Sequence, residues 1–187
     1  MTANHRVDVT LVVAAAVLLV TLPFVTTLDD LMAAVAMRAG LAGPLDVVAP
    51  AEGRLAAALL GLVGVPAGVD GSRVVLLGAR GGTLEISWNC VGWQSLLLLV
   101  VSLLVGLRGA YTAPARVQTA LVGLLGTILV NLARIAAVGL VAAHLGRLPA
   151  VIVHDYGGTL LVLGWLFAFW AFAQRWLLGD PDPDEAG

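Results

Sequence analysis

Residues 117–143 form a long apolar stretch in which Arg134 is the one charged residue. A run of more than about 20 predominantly apolar residues suits a helix across a bilayer, where every backbone polar group must be satisfied within the segment. Three further runs have the same character, at 7–28, 91–107 and 156–172. The sequence therefore predicts an all-α integral membrane protein with about four transmembrane helices. Composition agrees. Hydrophobic residues make up 60% of the chain and charged residues 12%, against roughly 45–50% and about 25% in soluble domains. A soluble fold this apolar would lack the polar groups to cover its surface. The run at 7–28 is too long for the core of a cleaved signal peptide, so it is read as a retained helix.

The segment 29–89 breaks the pattern. Its apolar stretches are short and interrupted by Asp46, Glu52, Arg54, Asp70, Arg73, Arg80 and Glu85. Residues 54–65 read as an amphipathic helix on the membrane surface, being shorter than a span requires. Residues 73–77 and 83–88, joined by a Gly-rich connection, read as a short β-hairpin. The piece 31–42 reads either as a surface helix or as a continuation of the first helix. The expected organisation is one membrane-embedded domain over 1–178, followed by a disordered acidic tail at 179–187 carrying Asp180, Asp182, Asp184 and Glu185.

Orientation follows from the short loops. Arg6, Arg108, Arg116 and Arg175 fall on one side; the loop 144–153 carries only Arg147. Short basic loops stay cytoplasmic. Both termini are thus expected in the cytoplasm, with 29–89 and 144–153 outside.

That topology sets three chemically distinctive residues at one depth. Cys90 opens the second span on the outer side, His154 opens the fourth, and Arg134 lies in the outer half of the third. Asn131 lies one turn before Arg134, on the same helical face. An arginine in a span costs about 2.5–3.5 kcal/mol on insertion scales, which favours a functional reading over a snorkelling one. A cysteine is a nucleophile as thiolate. A histidine can take its proton and return it to a leaving amine, and a fixed arginine can stabilise thiolate or oxyanion. This is equipment for acyl transfer, and it calls for no cofactor. Trp88 and Trp93 flank Cys90 and read as interfacial anchors.

Several alternatives are disfavoured. Net charge is −2 with no basic tract, which argues against nucleic acid. The single cysteine excludes an internal disulfide and any Cys-only metal site. A metal site built from His144, His154 and Asp155 lacks a helical ligand spacing, so no metal is expected.

The motifs resemble those of the exosortase/archaeosortase family of membrane transpeptidases. Asn89-Cys90-Val91-Gly92 is similar to its C-x-G signature, Asn131-Leu132-Ala133-Arg134 to its N-x-x-R motif, and His154 followed by Tyr156-Gly157-Gly158 to its third motif. The upstream amphipathic stretch ending at Leu62-Val63-Gly64-Val65 and the short β region fit as well. The resemblance covers about residues 50–175. It implies a cysteine peptidase or transpeptidase of the cell membrane, with its site on the extracytoplasmic face. Its substrates would be exported proteins bearing a C-terminal sorting signal, comprising a motif, a transmembrane helix and a basic end. Cys90 would form the thioester, His154 would act as base and acid, Arg134 would stabilise charge, and Asn131 would orient Arg134. Trp93 and Gln94, after the C-x-G, are bulkier than the family's pattern, and the chain has fewer spans than longer members. The rivals are a hydrolase using the same site, with water resolving the thioester, and a non-enzymatic membrane scaffold or export-assembly protein.

Overall fold

The computed structural model describes residues 31, 33–40, 43, 47–77, 82–86 and 90–179. The expected first span at 7–28, the acidic residues from 180 onward and parts of the expected hairpin lie outside the described residues. The chain divides into two units, 1–41 and 42–187. In the first, residues 31 and 33–38 are helical and turn at Ala39-Gly40, where Gly40 takes φ +72°.

The second unit opens with helix α1 (Ala49–Leu62). It starts five residues earlier than the amphipathic pattern indicated, because Pro50 sits in its first turn. Proline is tolerated there, where its missing N–H would be unpaired anyway. Three antiparallel strands follow: β1 (Ala67–Asp70), β2 (Arg73–Leu76) and β3 (Gly82–Glu85), in the order β1-β2-β3. Strand β1 has no counterpart in the expected hairpin. Its register, Asp70 opposite Arg73, closes a two-residue turn of Gly71 and Ser72, with Gly71 at φ +60°, the left-handed conformation that such hairpins need.

Helix α2 (Trp93–Gly106) is short and apolar. Helix α3 (Ala113–Leu145) has 33 residues, about 50 Å at 1.5 Å per residue, so it exceeds the ~30 Å hydrocarbon core. It begins four residues before the expected span because Thr112 caps it, accepting from the Ala115 N–H at 3.4 Å, and Pro114 occupies the first turn. The expected loop 144–153 contracts to Gly146, at φ +92°. Helix α4 (Arg147–Ile152) starts at once, and Pro149 again falls in a first turn. A widened π turn (Val153–Gly157) joins α4 to α5 (Gly158–Phe172), and a second π turn (Ala173–Leu177) follows. The run Arg147–Leu177 is long and apolar enough to cross a membrane, as is α3.

Two cores organise the described residues of this unit. At one end, α1 and the sheet pack on the C-terminal half of α3 through Ala56, Leu60, Val74, Leu76 and Ile135. Gly139 makes the approach possible: a β-carbon there would lie 2.9 Å from Leu60. At the other end, Leu99 of α2 and Val162, Leu166 and Phe169 of α5 close around α3. Gly123 and Gly126 accommodate Phe169 and Trp165 respectively, the small-residue contact typical of membrane helices. Trp165 Nε1 donates to Thr127 Oγ1 at 3.0 Å. Many large apolar side chains of α2, α3 and α5 point outward, among them Leu104, Leu125, Leu129 and Phe167. In a bilayer they face lipid.

Candidate active site

The candidate site lies against the first of these cores, beside Ile86 and Ile135. Cys90 sits in the turn that leads from the sheet into α2, and Gly92 is the N-cap of that helix. Gly92 has φ +76°, and a β-carbon on it would fall 2.6 Å from Asn131 Cγ. Both the backbone conformation and the contact demand glycine. The C-x-G and N-x-x-R elements therefore interlock: the Asn131 side chain lies against the glycine of the first motif.

Asn131 is 2% exposed. Its Nδ2 donates to the Cys90 carbonyl at 3.0 Å and approaches both carboxylate oxygens of Glu52 at 3.5 Å. The asparagine thus ties the backbone of the cysteine turn to α1. This differs from the expected role of orienting Arg134. A neutral amide donor at the cysteine turn holds the backbone that carries Sγ.

His154 Nε2 stands 3.9 Å from Cys90 Sγ, a hydrogen-bonding distance for sulfur. The other ring nitrogen, Nδ1, meets Asp155 Oδ1 at 2.9 Å. Both residues lie on the π turn between α4 and α5, a widened turn that recurs at functional positions in helices. A carboxylate on one nitrogen fixes which nitrogen faces the thiol.

Arg134 lines a small pocket of about 70 Å³ together with Cys90, His154, Leu84, Glu85 and Val138. Its side chain runs over Gly158, where a β-carbon would lie 2.9 Å from Arg134 Cδ. Among the described residues, its buried Nε has no hydrogen-bond partner. Gly158 thus lets the arginine shaft cross the start of α5 at close range. Three of the four residues singled out in the sequence, Cys90, Arg134 and His154, line this pocket together, and Asn131 lies behind Cys90, bonded to its carbonyl.

Two neighbours were not singled out for this chemistry. Glu52, 8% exposed, lies on the buried face of α1. Desolvation pushes its pKa up to about 7 from 4.5, against the opposing pull of the Asn131 hydrogen bond and the Arg134 charge. The sequence carried a signal for it, since Glu52 falls in helical register with Ala49, Ala56 and Leu60, all buried. An acid on the apolar face of an amphipathic helix is costly unless something meets it. The sequence suggests Asp155 only as a metal ligand. Among the described residues no group of three or more His, Cys, Asp or Glu side chains is arranged to hold a metal ion.

The sequence profile described as transmembrane exosortase matches residues 5–171. No curated protein and no solved structure matched the chain. With the match covering most of its length, the chain belongs to the transmembrane exosortase family and is a membrane protein.

Proposed function

We propose that this exosortase-family chain is a multi-pass membrane cysteine peptidase or transpeptidase. It cleaves the C-terminal sorting signal of exported proteins through a thioester at Cys90. The observation that carries this reading is the approach of Cys90 Sγ to His154 Nε2 at 3.9 Å beside an arginine whose buried Nε has no partner among the described residues. An unsatisfied buried N–H is costly, and an anionic oxygen entering the pocket would supply its partner.

In the proposed sequence, His154 Nε2 takes the thiol proton and the thiolate attacks the scissile carbonyl carbon. The carbonyl π electrons move onto oxygen, and Arg134 stabilises that oxyanion. The intermediate collapses as the C–N bond breaks, and the imidazolium returns its proton to the leaving amine. The thioester then accepts an amine or water. His154 deprotonates the attacking group, and the thiolate leaves and is reprotonated. Asp155 keeps the imidazole oriented, while Glu52 and Asn131 hold the turn that presents Sγ. About four transmembrane helices, cytoplasmic termini and an extracytoplasmic site belong to the same proposal. It is supported by the apolar runs and the distribution of arginines.

The test is to express wild type and Cys90→Ala in the host and measure the C-terminal masses of exported, membrane-anchored proteins. A set of proteins that loses its C-terminal helix only with wild type is expected. An added mass on the new C-terminus identifies transfer and its acceptor; its absence indicates hydrolysis. Identical C-termini in both strains would refute the activity and favour the scaffold reading.

A further inference from the structure

Among the described residues, the sheet ends at β3 in an edge that no strand shares, beside the candidate site. Ile86 N–H donates to Ser72 O at 2.9 Å, and the register pairs Glu85 with Arg73, Leu84 with Val74, Thr83 with Val75 and Gly82 with Leu76. In an antiparallel ladder, hydrogen-bonded and non-hydrogen-bonded pairs alternate. Ile86 being bonded, Leu84 and Gly82 also face β2. The N–H and C=O groups of Thr83 and Glu85 then point to the other side, away from β2. The β1–β2 ladder has the matching phase, because Leu77 N–H donates to Pro66 O. Among the described residues no strand pairs with this outer edge. Such an edge is a template for another extended chain.

The edge borders a groove of roughly 930 Å³, with Thr83, Leu84 and Glu85 along one wall and Val138, Arg147 and Ala150 along the other. The groove reaches His154. It shares Leu84, Glu85, Val138 and His154 with the small pocket that holds Cys90 and Arg134. A chain lying in it therefore reaches His154 and the mouth of the pocket that Cys90 lines. Its volume falls within the ~300–1,000 Å³ range of ligand sites.

We infer that β3 binds the extended segment of the substrate protein next to the cleaved bond as a fourth strand, pairing with the outward backbone groups of Thr83 and Glu85. This rests on the peptidase reading above and specifies how the substrate is held. Pairing through the main chain gives affinity whatever the side chains are, and the side chains that alternate into the groove give selectivity. Side chains turned toward the helices meet Val138, Ala142 and Ala150, a wall of small apolar residues. Glu85 and Arg147, one charge of each sign, also border the groove.

Proline distinguishes this from other modes of binding. On an edge strand, proline is tolerated where the lost N–H does not belong to the ladder. Thr83→Pro removes an outward N–H and leaves every bond to β2 in place. Ala67→Pro makes the same change on the outer edge of β1, since Ala67 lies in the non-bonded phase opposite Leu76. Both variants are expressed as full-length chain in host membranes. Processing of the exported proteins cleaved by wild type but not by Cys90→Ala is measured, together with the rate of Cys90 alkylation by iodoacetamide. Thr83→Pro is expected to slow processing about tenfold with alkylation within twofold of wild type, and Ala67→Pro to stay within twofold on both. Wild-type processing rates in an alkylation-competent Thr83→Pro chain overturn the inference and leave the peptidase reading intact. Absence of Cys90-dependent processing in wild type overturns the peptidase reading itself, and this inference with it. If Thr83→Pro also loses alkylation, a photo-crosslinking benzoylphenylalanine at Thr83 in the Cys90→Ala chain decides. Crosslinks to exported proteins just before their C-terminal helix support the inference; crosslinks only to lipid or to this chain overturn it.

Discussion

The contact between Gly92 and Asn131 makes a quantitative prediction. Gly92→Ala forces a non-glycine residue to φ +76°, costing about 1–2 kcal/mol. It also sets a β-carbon 2.6 Å from Asn131 Cγ, so the amide must move by most of an ångström. That movement breaks the 3.0 Å bond from Asn131 Nδ2 to the Cys90 carbonyl, and leaving buried polar groups unsatisfied costs about 1–3 kcal/mol. The expected total is about 3 kcal/mol. Asn131→Ala alone loses the same bond and strands Glu52, costing about 2 kcal/mol. In the double variant the collision is gone, and only the backbone term of Gly92→Ala adds to the asparagine loss. The two changes should therefore be less than additive, with a coupling of about 2 kcal/mol. Denaturation of the detergent-solubilised wild type, both singles and the double gives this number directly. Processing should fall roughly 100-fold in Gly92→Ala, since displacements near 1 Å carry losses of that size. Additivity within about 0.5 kcal/mol would show that the two motifs do not support each other and would refute the interlock.

Other outcomes follow from the same geometry. Arg134→Lys should insert and fold yet process roughly 100-fold more slowly, because an ammonium does not reproduce the guanidinium fork; wild-type turnover would remove Arg134 from the oxyanion role. Glu52 has a folded pKa of about 7 against 4.5, so the folded state favours its neutral form. Its contribution is fully present below pH 4.5 and lost as pH rises through 7, by on the order of 3 kcal/mol from the 2.5-unit difference. Glu52→Gln should therefore flatten the decline in melting temperature between pH 5 and 8.5, and parallel declines in variant and wild type would contradict this. Asp155→Asn breaks an exposed pair of the kind worth about 0.2–1 kcal/mol. Processing should fall fivefold or less, against complete loss in Cys90→Ala; abolition by Asp155→Asn would mean the carboxylate does more than orient the ring.

The sequence by itself determined that this chain belongs in a membrane, because residues 117–143 and the apolar composition leave no soluble alternative. It also singled out Asn131 and Arg134, since polar residues inside apolar runs are costly and few, and Cys90 and His154, which open two spans at the same depth. It misplaced several boundaries, at Pro50, Pro114 and Pro149. Proline reads as a breaker along the chain, yet each of these lies in the first turn of a helix. It missed β1, of whose four residues, Ala-Gly-Val-Asp, only the valine favours a strand, so that pairing with β2 holds it. Tertiary structure alone decided what the motifs do to one another. Asn131 packs on Gly92, Arg134 crosses Gly158, Glu52 reaches in from α1, and β3 borders a groove that reaches His154. These are contacts between residues far apart in the chain. Local periodicity tells which face of a helix is buried, but which neighbour meets that face is fixed only when the two cores pack.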